Sequence, residues 1–185
     1  LLVLALALQA GVKMYTLKSP DGKVKLEVTA GQGIAYSLFY DGRLLLKPSR
    51  IALHTDLPEA DHWENIRITG TKQRHVSETV QAPFYRVKEF GIDCNELELR
   101  LNNGFSLLMR AYNDGMAYRF VAGRKGEMTV VEERAEFNFA DDFEAYIPYS
   151  TNPKDPWNMA FQRVGPQGVG GVSVHTGRLF RTKRP

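Results

Sequence analysis

The sequence predicts an all-β fold, an antiparallel β-sandwich. Three observations carry this. Apolar and polar residues alternate over short runs, Asp-Gly and Asn-Gly pairs punctuate those runs, and no window of a dozen residues holds a 3.6-residue apolar period. At 185 residues the chain has room for one domain and hardly two. It is too short for a (β/α)₈ barrel, which needs about 250 residues.

Leu1 to Ala10 (LLVLALALQA) is apolar at nine of ten positions. That suits the apolar region of a signal peptide and falls well short of the roughly 20 residues that span a bilayer. Residues 1–10 are therefore read as a partial signal peptide, and the expected location is exported, in the periplasm of a Gram-negative bacterium. The competing reading is a buried strand or short helix.

Lys23 to Val28 alternates strictly, with Val24, Leu26 and Val28 on one side, as a half-buried strand requires. Ile34–Tyr40 and Arg43–Leu46 flank Asp41-Gly42, a strong hairpin signal because both turn residues tolerate positive φ. Asn103-Gly104 joins Glu96–Leu101 to Phe105–Met109 in the same way, and Asp114-Gly115 joins Leu107–Tyr112 to Met116–Val121. Asp21-Gly22 precedes the first strand. Further strands are expected at Arg50–Leu53, Asn65–Thr69, Arg74–Val80, Tyr85–Glu89, Thr129–Glu132, Ala135–Phe139 and Ala145–Ile147. Two stretches break the pattern. His54–Glu64 reads as a long polar loop, and Pro148–Pro156, with three prolines, as irregular chain, since proline cannot donate to a sheet ladder.

Lys and Arg number 24 against 21 Asp and Glu, a net charge of +3. Five of those bases and no acid lie in residues 163–185, so residues 1–162 hold 19 bases against 21 acids, a net −2. The body has no basic stripe for phosphates, and no nucleic-acid partner is expected. The tail is Gly-rich and then basic, with one weak strand at most. The single cysteine, Cys94, excludes an internal disulfide and an all-cysteine zinc site, and it reads as a half-buried structural thiol.

No phosphate-binding loop, nucleophile elbow or zinc-protease motif is present. The four histidines (His54, His62, His75, His175) lie in separate segments, and His54 with His62 is read as exposed loop before metal site. Asp141, Asp142, Glu144 and Asp155 gather around the proline-rich stretch with Asn152 and Asn158. Two readings stay open, a solvated acidic turn or oxygen ligands for calcium. Tyr146, Tyr149, Trp157 and Phe161 surround the same stretch, either as a sugar-stacking surface or as the filling of a domain interface.

Arg110-Ala111-Tyr112-Asn113-Asp114-Gly115-Met116-Ala117-Tyr118-Arg119-Phe120 resembles the signature stretch of glycoside hydrolase family 97. Residues 19–28, 36–53, 95–101, 132–142 and 146–161 resemble further family segments in the same order, so the likeness covers about 15–162. It implies an N-terminal galactose mutarotase-like super-sandwich, here incomplete, from an exo-α-glycosidase acting on α-glucosides or α-galactosides. The catalytic carboxylates would belong to a barrel absent from this chain, so no catalytic residue is expected here. The implied partners are an α-linked oligosaccharide and the catalytic barrel of the same polypeptide. Tyr146, Tyr149 and Trp157, read from the residues themselves, are the carbohydrate-binding candidates and would form the platform of a free-standing binding module. Trp157-Asn158-Met159-Ala160-Phe161 stands where the family carries a Glu ligand to an active-site calcium ion, which gives Asn158 that place. After Gln162 the resemblance stops, so residues 163–185 are expected to be a divergent tail, and the chain a fragment with a shifted frame at its end. The alternatives are a free-standing carbohydrate-binding module and a non-functional truncated product.

Overall fold

The computed structural model describes residues 13–83 and 86–141, and beyond them the backbone of four strands between 145 and 182. Among the described residues there is no helix, as the missing 3.6-residue period requires. The strands are β1 (Lys13–Lys18), β2 (Val24–Gly31), β3 (Gly33–Tyr40), β4 (Arg43–Thr55), β5 (Ile68–Gln81), β6 (Glu89–Leu101), β7 (Phe105–Tyr112), β8 (Gly115–Ala122), β9 (Val130–Phe137), β10 (Ala145–Tyr149), β11 (Ala160–Val164), β12 (Val172–His175) and β13 (Arg178–Thr182). They form a seven-stranded sheet in the order β1-β2-β3-β4-β9-β12-β13, a four-stranded sheet β5-β6-β7-β8, and a β10-β11 pair. Every pairing is antiparallel. The antiparallel sandwich is thus as the alternation predicts.

The two large sheets meet face to face over one core. Val24, Leu26, Val28, Ile34, Tyr36 and Ile51 come from one sheet, and Leu97, Leu99, Leu107, Met109 and Ala111 from the other. β2 and β7 each bury every second residue without interruption, which is why their period was legible. Burying each such Leu or Ile contributes roughly 1.5–3 kcal/mol. The Tyr36 hydroxyl reaches the Glu136 carbonyl at 3.2 Å, and burial pushes its pKa up to about 12.

Loops hold the ends together. Residues 56–67 carry the chain from the larger sheet to the smaller, and they are not the plain polar loop expected. Ala60, Trp63 and Ile66 point inward and are buried. Trp63 Nε1 donates to the Leu53 carbonyl at 3.1 Å, and its ring meets Phe105 at 6.1 Å and Phe120 at 5.3 Å. The β6–β7 turn fastens this cover, with Asn103 Nδ2 donating to the Ala60 carbonyl and Asn102 Oδ1 accepting the Arg67 N–H. At another corner the Asp21 N–H donates to Asn113 Oδ1 at 3.1 Å, joining the β1–β2 turn to the β7–β8 turn.

The turns refine the expectation. Asp41 (φ 48°) and Gly42 (φ 78°) both take positive φ, as a primed two-residue hairpin requires. The β7–β8 turn is instead Asn113-Asp114, since Tyr112 pairs with Gly115 and Gly115 already belongs to β8. Inward-facing Met109 and Ala111 set that register, and it places the turn one residue earlier than the Asp-Gly pair suggests. Other boundaries move too. The Ile66 N–H is spent on the Gly31 carbonyl, so residues 65–67 stay in the loop and β5 begins at Ile68. The strand expected at Tyr85–Glu89 is not formed among the described residues: residues 86–88 bend, and only Glu89 is in a strand, as the first residue of β6. β10 runs through Pro148 and Tyr149, where the prolines predict irregular chain. A two-stranded pair leaves alternate N–H groups unbonded, and a proline fits there. β1 adds a strand on the far side of β2 that the alternation does not predict, and the tail holds two short strands, β12 against β9 and β13 against β12.

Close backbone approach fixes one glycine. A methyl group on Gly123 would stand 2.8 Å from the Gly104 carbonyl oxygen, the acceptor of the Gly123 N–H. Backbone cannot swing aside as a side chain can. Gly123→Ala is expected to cost about 1–3 kcal/mol, read as a lower urea midpoint at unchanged slope.

Candidate functional site

The signature stretch forms β7, its turn and β8, and its side chains divide by pleat. Ala111, Met116, Tyr118 and Phe120 belong to the core or pack against it. The Tyr118 hydroxyl donates to Glu133 Oε1 at 3.1 Å, and burial raises its pKa. Arg110 and Tyr112 share the parity of the opposite, outward face.

There Arg110 meets the most deeply buried ionic group described. Arg74, Glu96 and Arg110 stand directly opposite one another on β5, β6 and β7. Glu96 Oε1 accepts from Arg74 Nε and Oε2 from Arg110 Nε, both at 2.7 Å. The Glu96 side chain is only 4% exposed, against 54% for Arg74 and 24% for Arg110. Burial works to raise the Glu96 carboxyl, but the bonds from Arg74 and Arg110 outweigh it and hold the pKa below the ordinary value. A carboxylate so held stays ionised at neutral pH and is no proton donor. The row ties three strands of the smaller sheet together. Alternation alone assigns Glu96 to a solvated face, and no sequence signal names Arg74 as its partner.

Several other polar groups described are likewise occupied. Glu136, on β9, accepts from the Arg50 N–H at 3.0 Å and from Arg134 Nε at 2.8 Å. Burial raises its carboxyl, and those bonds with Asn138 bring it below the ordinary value. His54 closes β4 with Nδ1 2.7 Å from Asp61 Oδ1, so it is paired where open loop was expected, while His62 is exposed. His75 sits 3.1 Å from Asp93 and 3.0 Å from Asn95. Among the described residues no three His, Cys, Asp or Glu side chains converge on one point. Cys94 is fully buried, deeper than expected, and burial raises its thiol pKa.

The sugar-facing and calcium candidates fall elsewhere. Tyr146 and Tyr149 lie on β10, opposite Arg163 and Ala160, and the structure describes their backbone alone. Trp157 and Asn158 lie outside the described residues, as do Asp142, Glu144, Asn152 and Asp155. Asp141 stands 3.6 Å from Arg43, both exposed.

The described residues form an antiparallel β-sandwich whose charged clusters tie its strands to one another. Its sequence places it further. The glycosyl-hydrolase 97 N-terminal family matches residues 17–172, and the chain belongs to that family. Over 151 residues it is 40% identical to a retaining alpha-galactosidase of Bacteroides thetaiotaomicron, covering 81% of this chain and 22% of that protein. Over 154 residues it is 25% identical to a probable retaining alpha-galactosidase of Streptomyces bingchenggensis, covering 80% and 24%. The fold is shared with a glycoside hydrolase family 97 enzyme solved with acarbose, from a Pseudoalteromonas species, at TM-score 0.62 and 18% identity, covering 86% of this chain and 28% of that one. A beta-arabinopyranosidase crystal structure superposes at TM-score 0.71 with 23% identity, covering 83% and 27%. The chain thus spans about a quarter of the length of the proteins it matches.

Proposed function

We propose that this chain is the non-catalytic N-terminal sandwich of an exported retaining α-galactosidase, packing on a catalytic barrel that the chain does not include. The observation that carries this is the 40% identity to a retaining alpha-galactosidase of which the chain spans 22%. Bond cleavage falls to the other part. The sandwich contributes a wall of the sugar pocket through Tyr146, Tyr149 and Trp157, whose rings offer apolar faces to a pyranose. Calcium fits as a shared ligand. Asn158 offers a carboxamide oxygen, a hard neutral donor suited to that ion, and the charged donors would come from the barrel. Export rests on the apolar Leu1–Ala10 segment.

The expected result with this chain alone is no turnover of aryl α-galactosides or α-glucosides, and no saturable binding of melibiose or maltose by calorimetry. Turnover would overturn the reading. Saturable binding without turnover would mark a free-standing carbohydrate-binding module instead.

A further inference from the structure

The apolar side of β6 changes faces partway along the strand. In Phe90, Ile92 and Cys94 the apolar residues are even-numbered, and in Leu97, Leu99 and Leu101 they are odd-numbered. The pairing of β6 with β5 runs unbroken from Gly70 to Gln81, and that with β7 is unbroken throughout, so no bulge turns the pleat over. The odd-numbered group faces the core. The even-numbered group takes the opposite side, with Glu96; there Cys94 and its partner Val76 are buried, Ile92 is half-buried and Phe90 is exposed.

β5 agrees with the switch. Val76 and Val80 share the outward parity and stand opposite Cys94 and Phe90, with one exposed charge, Glu78, between them opposite Ile92, and Tyr112 of β7 completes the row beside Cys94. The reverse face of the same ribbon is polar, with Ser77, Thr79, Gln81, Glu89, Gly91 and Asp93. Beyond Cys94, β5 and β6 pair with each other only, and a two-stranded ribbon is marginal in water unless something covers its apolar face. Phe90 is 46% exposed. On β2 the outward side is polar, with Lys25, Glu27 and Thr29, whereas single apolar side chains such as Met14 and Val121 are exposed elsewhere. A solvated sheet face alternates in that way, and the ribbon does not.

We propose that the outer face of the β5–β6 ribbon, presented by Val80, Phe90, Ile92 and Tyr112, is the surface on which the remainder of the glycosyl-hydrolase 97 polypeptide packs. This rests on the reading of the chain as one domain of a longer enzyme. The occupant follows from length. In the 40%-identical relative the matched segment is 22% of the protein, which leaves a polypeptide more than three times as long to be docked. The occupant's chemistry follows from the rim. Lys72, Arg74 and Arg119 are exposed on the same outward side against one exposed acid, Glu78, so the partner surface is apolar at its centre and carries carboxylates at its margin.

The test joins this entire chain to the remaining sequence of the Bacteroides relative and follows amide exchange by mass spectrometry in the chain alone and in the chimera. Exchange in residues 76–81 and 89–94 is expected to slow about tenfold or more in the chimera, with β2 unchanged. Phe90→Asp is expected to leave the melting temperature of the chain alone unchanged and to abolish the protection in the chimera, whereas Thr79→Asp, on the polar face, leaves the protection in place. A folded, active chimera with an unprotected ribbon overturns the inference while sparing the reading beneath it. A chimera whose two parts never assemble overturns both. A chain that sediments alone as a dimer, and as a monomer after Phe90→Asp, assigns the face to a second copy and overturns the inference too.

Discussion

Replacing Glu96 by Gln is expected to cost about 3 kcal/mol at neutral pH, because removing one partner of a buried ion pair strands the other charges. The low end of the range applies. Arg74 is half in solvent and recovers hydration, but Arg110 is 24% exposed and keeps less of it. The effect has a pH signature. The folded-state pKa of Glu96 lies below its ordinary value of 4.5, so its contribution is complete above pH 4.5 and is lost as pH falls through the folded value. Wild type and Glu96→Gln are therefore expected to differ most near pH 7 and to converge below pH 4.5. Urea midpoints measured across that range check it. A gap that persists undiminished into acid would mean that the Glu96 carboxylate charge is not what joins β5, β6 and β7.

Trp63→Ala carries the second large effect, about 3–5 kcal/mol. At 2–4 °C per kcal/mol for a chain of this size, the melting temperature falls by roughly 10 °C. The indole is 6% exposed and fills the end of the sandwich between Phe105 and Phe120. Its neighbours are held by sheets on both sides and cannot close the cavity. Trp63→Phe keeps most of the volume and strands the Leu53 carbonyl that Nε1 now serves, so it is expected to cost about 1–2 kcal/mol. Thermal unfolding of the pair separates packing from hydrogen bonding. Equal losses would assign the whole effect to the hydrogen bond.

These two residues show where the chain is opaque to reading in order. Glu96 lies 22 residues from Arg74 and 14 from Arg110, and only register across three strands brings them together. Trp63 stands among His62, Glu64 and Asn65, so its segment reads as a polar loop, and burial comes from rings about 40 and 57 residues further on. By contrast β2 and β7 were plain, because each alternates fully over eight residues. The Asp41-Gly42 turn was plain because its positive φ values depend on those two residues themselves.

By itself the sequence determined the all-β class, most of the strands, the Asp41-Gly42 hairpin and membership of the glycosyl-hydrolase 97 N-terminal family. These rest on neighbours in the chain or on residue order, and both survive without coordinates. Tertiary structure decided what the charges and loops do. The signature arginine braces a buried glutamate, the polar loop plugs one end of the sandwich, and the apolar face of β6 changes sides with no bulge to explain it. That last feature is written in the residues 90–101, but its meaning is not. A phase change in an alternating strand reads equally as a bulge or as a second buried face, and only the unbroken register of β5, β6 and β7 tells them apart.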